Sequence, residues 1–434
     1  MALRTLLMNG WIIDGTGREA FPGSVAIDDG RLPSVGTVEV SRDDECIDCA
    51  GLTILPGLVD AHVHLIDDNI TNAYEAELAR SIPEATVDAA ANAERLLRLG
   101  FTTVREAGTR ANIGVAVRDG VRAKKIRGPR VVTAGTIIST PGGLGDFFPS
   151  HLFERAPYYP SSQSSLVVGP AEARAVVRRQ VKDGVDWIKV GVSGTGFNPR
   201  CPADRVAISD EELGAVIDEA AVQRRPVMAH AESRESIVAA ARAGVHTIEH
   251  GVYLDDEGVE AMLAGGVALC PTLAMYSAFA ERGGDFGIPK DIVEQHRRTH
   301  DSHVESVRKA HAAGVPIIAG GDAGLAHFPQ GRCVEEIARY VELIGMSSLE
   351  ALATITRVAA EVLGLGEAVG TLERGKLADL VLVRADPADC VTALQDPANV
   401  VGVFQEGELV HEVDRPAPRL ERGRAPAPQA VQGR

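Results

Sequence analysis

Eight short apolar, β-branched runs recur along the middle of the chain, with helical patterns between most of them. No other feature limits the fold as strongly. The runs cover residues 58–64, 102–106, 130–139, 187–193, 226–231, 246–250, 267–271 and 316–321. Runs of this length, with no polar alternation, suit strands buried on both faces, as in parallel sheets covered by helices. Between them lie stretches such as SDEELGAVIDEAAVQRR and ESIVAAARAG, with Ser209 and Glu212 spaced as a capping box. Eight such units predict an α/β fold, a (β/α)₈ TIM barrel. The 434 residues exceed what one simple core needs but suit a barrel of ~250 residues with a smaller domain.

The two ends of the chain have a different texture. TLLMNGWIIDGTG and SVAIDDGRLPSVG alternate apolar and polar residues around Gly and Asp turns, and similar patterns return in TLERGKLADLVLVRADP and VVGVFQEGELVHEV. These read as short antiparallel strands. The expectation is one small β-sandwich made by both ends, residues 1–56 with 365–413, around a catalytic barrel at 57–364. The Pro-, Ala- and Arg-rich segment 414–434 is expected to be a disordered tail.

A net charge of −16 argues against nucleic acid or an anionic membrane as partner, since both require a basic face. No apolar run approaches the ~18 residues of a membrane span, and nothing near Met1–Asp14 reads as a secretory signal. Six scattered cysteines include one C-x-x-C, Cys46 with Cys49, but no second pair at zinc-ribbon spacing, so this pair reads as small apolar residues beside a strand. A reducing cytoplasm, a small-molecule substrate and a homo-oligomer are the expectations.

In a barrel of this type the chemistry sits at the C-terminal strand ends. The first run ends in DAHVHL, and His62 and His64, two apart on a strand, face the same side. Lys189 lies in WIKVGVSG, His230 in VMAHAES, His250 in TIEHG and Asp322 in IIAGGDAG. Singly, each is read as readily as a satisfied core residue. Together, four imidazoles and a carboxylate at strand ends form a donor set for zinc, manganese or iron. His296, His300, His303 and His311 fall in a charged helical stretch and read as surface residues.

In that order PGLVDAHVH, IKV, HAES, IEHG, GGDAG and GKLADLVL resemble the amidohydrolase superfamily. The similarity points to the branch holding prolidase-like and Xaa-Arg dipeptidases, imidazolonepropionases and ochratoxin-degrading amidases, and it runs from about residue 3 to 412. The resemblance implies two divalent ions, zinc first, with manganese, iron or cobalt as alternatives. His62, His64 and Asp322 would hold one, His230 and His250 the other, and Lys189, carboxylated by CO₂, would bridge them. A carbamate suits that place physically, because a free ammonium would repel cations while two anionic oxygens can join ions ~3.5–4 Å apart. Asp322 would serve as general base.

One departure stands out. Many members of that branch carry Gly-Gly-His-Gly after the third strand, its histidine helping to polarise the substrate; this chain reads STPGGLGDFF, with Leu144 there. That leaves Tyr253, just after IEHG, as a candidate carbonyl or carboxylate donor. Phe147, Phe148, Phe153, Tyr158 and Tyr159 crowd residues 141–165 of a chain with only 4% aromatics, which suggests an apolar lid for a bulky or aromatic substrate. The expected activity is hydrolysis of a C–N bond in an amide, carbamate or N-acyl amino-acid-like compound. The alternatives are a Xaa-Pro or Xaa-Arg dipeptidase, a cyclic amidase or deaminase, and a catalytically silent binding protein.

Overall fold

The computed structural model describes residues 4–71, 79–146, 163–198, 200–413 and 422–424. Two compact units partition the chain. One comprises Met1–Leu58, Leu97–Thr102 and Ser348–Arg434, the other Val59–Leu96 and Thr103–Ser347.

In the first unit, alternation gives strands β1 (Thr5–Ile12), β2 (Phe21–Asp28), β3 (Arg31–Gly36), β4 (Glu45–Asp48) and β5 (Thr53–Pro56). The C-terminal part adds β15 (Leu380–Val383), β16 (Val400–Gln405), β17 (Glu408–Glu412) and β18 (Arg422–Arg424). Where a β-sandwich was expected, these strands form one nine-stranded sheet, with the path β17-β16-β15-β5-β1-β2-β3 and with β4 and β18 off it. Its two chain ends meet where β15 runs antiparallel to β5, Val381 opposite Leu55. Leu7, Ile12, Val25, Ile54, Leu380 and Phe404 are buried in one apolar cluster, which is why both ends are needed to close the core. Cys46 and Cys49 are free thiols in and beside β4, and burial pushes the Cys49 thiol up to about 12. Of the expected tail, Arg422–Arg424 pairs with β4; its other residues lie outside the described part.

The second unit is α/β with parallel strands. A three-stranded sheet joins β6 (Leu58–Val63), β7 (Phe101–Glu106) and β8 (Arg130–Thr133). A six-stranded one has the order β10-β9-β11-β12-β13-β14, from β9 (Ile137–Ser139), β10 (Ser164–Leu166), β11 (Ile188–Gly191), β12 (Val227–Ala231), β13 (Thr247–His250) and β14 (Ala268–Cys270). The expected third run is two strands, because Gly135 (φ 70°) turns the chain between β8 and β9.

The eighth run makes isolated parallel bridges instead of a full strand, Leu269 with Ile317 and Val63 with Ala323. Gly320, Gly321 and the left-handed Asp322 (φ 48°) interrupt its pleat. Backbone bonds still carry the pairing through: Ile318 N donates to Leu269 O (2.9 Å) and Ala61 N to Ala319 O (3.0 Å). On the other side Trp187 N donates to Thr133 O (3.1 Å), linking β8 to the chain entering β11. The helices Asp210–Val222 and Arg234–Ala243 follow the sequence reading, the first with its Ser209–Glu212 capping box and the second ended by left-handed Gly244.

Candidate metal centre

Parallel pairing aligns the strand ends, and the candidate residues come together there. Ala231 lies opposite His250, and Gly191 opposite His230. The ring centroids of His62 and His64 are 5.4 Å apart, those of His62 and His250 5.3 Å, and those of His230 and His250 4.5 Å. Asp322 Oδ1 lies 3.3 Å from His64 Nε2 and 3.7 Å from His62 Nε2. His62, His64 and Asp322 thus present ligand atoms within 4.8 Å of one another. Lys189 is buried in β11 at 2% exposure, and its charge acts on His62, His250 and Asp322.

Each histidine has one ring nitrogen engaged by the framework. His62 Nδ1 is 2.7 Å from Glu249 Oε2, His64 Nδ1 2.8 Å from Gly108 O, and His250 Nδ1 2.8 Å from Thr272 Oγ1. His230 uses Nε2 instead, 2.8 Å from Gly194 O and 3.1 Å from Glu232 Oε1. On His62 and His64 the other nitrogen, Nε2, faces Asp322 Oδ1. This is the arrangement by which outer partners fix the tautomer of a metal-ligating imidazole.

Backbone strain concentrates at the same place. His250 (φ 73°), Thr272 (φ 51°) and Asp322 (φ 48°) all adopt the left-handed region that non-glycine residues avoid. For His250 the reason is geometric. Thr247 and Glu249, two apart, both bond Arg105 from inside the strands. In a regular strand His250 would then point to the opposite face. The left-handed turn brings it back beside its neighbour.

Burial and charge set the protonation pattern. Burial is the largest influence on His62 and draws its imidazole down to about 4. His250 is likewise held well below the usual range by burial. His64 lies against Asp322 and is pushed up to about 9, the carboxylate outweighing burial. The Asp322 carboxyl is buried, which acts to raise it, but the neighbouring imidazoles and Lys189 hold it below the usual carboxylate range. Burial lowers the Lys189 ammonium.

The sequence reading missed the layer beneath. Arg105 and Glu249 are both fully buried, joined by Arg105 Nη2 to Glu249 Oε1 (3.0 Å) and Oε2 (3.1 Å). The spacing of Thr247 and Glu249 was the available signal, since two polar residues two apart on a barrel strand must face inward together. His296 and His303, expected on the surface, are buried, at 2% and 1% exposure. Helical periodicity explains the correction: Val293, His296, His303, Val307 and Ala310 line the buried face of the helix Lys290–Ala313. There His296 stacks on Phe279 (4.3 Å) and His303 donates from Nε2 to His250 O (2.9 Å).

Tyr253 is half-buried and lines a cavity of about 340 Å³ with Asp204 and Arg298. The tyrosine ring against His250 is that of Tyr276, at 5.5 Å, its hydroxyl donating to Glu232 Oε1 (2.9 Å). Leu144 is buried against Gly191, where an added Cβ would lie 2.9 Å from the Leu144 Cβ. Phe147, Phe148, Phe153, Tyr158 and Tyr159 lie outside the described residues. No helix among the described residues is long and apolar enough to cross a membrane.

Comparison with known proteins adds four likenesses. The sequence model of the amidohydrolase family matches residues 53–410. Ochratoxinase of Aspergillus niger is 29% identical over 401 residues, covering 88% of this chain and 82% of that protein. Imidazolonepropionase of Mesorhizobium japonicum is 26% identical over 366 residues, covering 78% and 79%. The crystal structure of a prolidase complexed with N-methylphosphonate-L-proline superposes with a TM-score of 0.84 at 30% identity, covering 94% of this chain and all of that one.

Proposed function

This chain belongs to the amidohydrolase family, and from that membership we propose that it is a binuclear metal-dependent hydrolase built on a closed (β/α)₈ barrel. Its substrate would be an amide, carbamate or N-acyl amino-acid-like compound. The observation that carries the reading is that each imidazole has one ring nitrogen held by the framework, while the Nε2 atoms of His62 and His64 face the Asp322 carboxylate. Imidazoles with one carboxylate suit zinc first, then manganese, iron or cobalt. Barrel closure is supported by the backbone bonds that run from β14 through Ile318 and Ala319 to β6.

The donor chemistry fits two ions. His62, His64 and Asp322 would hold one, His230 and His250 the other, and Lys189, converted by CO₂ to a carbamate, would join them. Such ions polarise a scissile carbonyl and lower the pKa of water towards neutrality. Asp322, kept ionised by the imidazoles beside it, accepts the proton of the attacking water and returns it to the departing amine. Buried Lys189 contributes negative charge only as the carbamate; as an ammonium it would oppose cation binding. Tyr276, anchored on Glu232, and Tyr253, which lines a cavity with Asp204 and Arg298, are the phenols proposed to orient substrate.

A dipeptidase reading is favoured by one observation, the 30% identity to a prolidase across 94% of the chain. Leu144 argues for a less polar substrate than a small dipeptide. The test is a panel of N-acyl amino acids, aryl amides, carbamates and Xaa-Pro and Xaa-Arg dipeptides, assayed for amine release by metal-loaded and chelated protein. Chelator-sensitive release from the apolar acylated compounds supports the reading. Best turnover on dipeptides favours the second reading, and equal activity without metal overturns both.

A further inference from the structure

We propose that Glu249, clamped by Arg105, is a positioning residue that fixes the His62 imidazole for metal binding, a role that rests on the metal reading above. Glu249 has no exposed surface, and an isolated carboxylate there would be strongly disfavoured. It is sustained by the guanidinium of Arg105, also unexposed, which donates to both of its oxygens.

Arg105 is itself fixed from several sides. It belongs to β7, donates from Nε to Ala61 O of β6 (2.7 Å) and from Nη1 to Thr247 Oγ1 of β13 (2.9 Å), and lies over the ring of Trp187, the residue before β11 (4.7 Å). The rigid fork therefore determines where the Glu249 carboxylate can sit. Oε2 of that carboxylate receives the Nδ1–H of His62 at 2.7 Å. With its proton held on Nδ1, His62 must present the Nε2 lone pair on the side where Asp322 and His64 lie.

A competing assignment has to be weighed. His62, Glu249 and Cys270 also bring ligand atoms within 4.8 Å of one another. Arg105 occupies both Glu249 oxygens, so a cation there would meet a guanidinium at hydrogen-bond range. The carboxylate therefore supports a ligand and is not one.

The test uses the full-length protein, stripped of metal and titrated with Zn²⁺ against a competing chelator. Glu249→Gln keeps an oxygen that can accept from Nδ1 but leaves the Arg105 charge unmatched. A second variant, Arg105→Met with Glu249→Gln, removes both charges together so that folding is not the quantity measured. Zinc affinity should fall about ten- to a hundredfold in the double variant. In metal-free protein, ¹H–¹⁵N spectra of the histidine rings should lose the single Nδ1-protonated state of His62, while thermal unfolding stays cooperative. Unchanged affinity and tautomer in a folded variant would overturn the clamp alone. Wild-type protein that takes up no zinc would overturn the metal reading and the clamp with it.

Discussion

His64 Nε2 lies 3.3 Å from Asp322 Oδ1, and the Asp322 backbone N–H donates to His62 O at 2.7 Å. Side chain and main chain thus hold the carboxylate of the eighth run against the end of the first strand. The left-handed backbone of Asp322 is what permits both contacts at once. In its proposed role as general base, Asp322 would have no substitute among the neighbouring imidazoles, which the same proposal assigns as ligands. Asp322→Asn should preserve the fold and most metal binding and lower kcat by about 10²- to 10⁴-fold. Stopped-time assays beside circular dichroism and metal analysis check this; near-normal kcat would remove Asp322 from the role.

Lys189→Ala removes the only proposed bridge between the ions. Activity should disappear and metal content fall, with partial recovery on adding formate or another short-chain acid. Protein prepared under ¹³CO₂ should show a carbamate ¹³C resonance that the alanine variant lacks. Full activity in the variant would exclude the bridge.

Thr272 holds His250 through a single 2.8 Å contact to Nδ1. Thr272→Val keeps the branched shape and removes the oxygen, leaving that nitrogen unpaired at a buried site. Metal affinity should weaken about ten- to a hundredfold. Equal affinity by chelator competition would place His250 under other control.

Much of the α/β alternation was legible because buried parallel strands are short, apolar and β-branched, as at residues 226–231 and 246–250. His62 and His64 were recognisable as a pair because two residues apart on a strand share a face. What escaped depended on partners distant in sequence or on unusual backbone. Arg105 lies in a buried strand, Phe101–Glu106, that gives no hint of its partner, and only the position of Glu249 explains it. Adjacent Glu249 and His250 cannot both face inward until the left-handed turn at His250 is known. His296 and His303 were hidden by the charged residues around them in a helix whose buried face carries imidazoles.

A separate buried carboxyl gives a pH prediction. Burial raises Glu336 from 4.5 to about 8, so it is neutral in the folded chain at moderate pH. Above its ordinary pKa the unfolded chain releases this proton while the folded chain retains it. Stability therefore declines as pH rises from about 5 and levels off above about 8, with a slope of up to ~1.4 kcal/mol per pH unit for this group. Glu336→Gln retains an oxygen for the Ala274 N–H (2.6 Å) and should flatten that decline. Denaturant unfolding of metal-free protein at several pH values tests it; parallel pH profiles for both proteins would refute it.

The central claim is that these strand ends hold two divalent ions. Anomalous diffraction from zinc-loaded crystals, collected on both sides of the zinc absorption edge, addresses it most directly. Two anomalous peaks are predicted, one among His62, His64 and Asp322 and one beside His230 and His250, with continuous density from Lys189 Nζ between them. A single peak, or peaks elsewhere with Lys189 unmodified, would contradict the account.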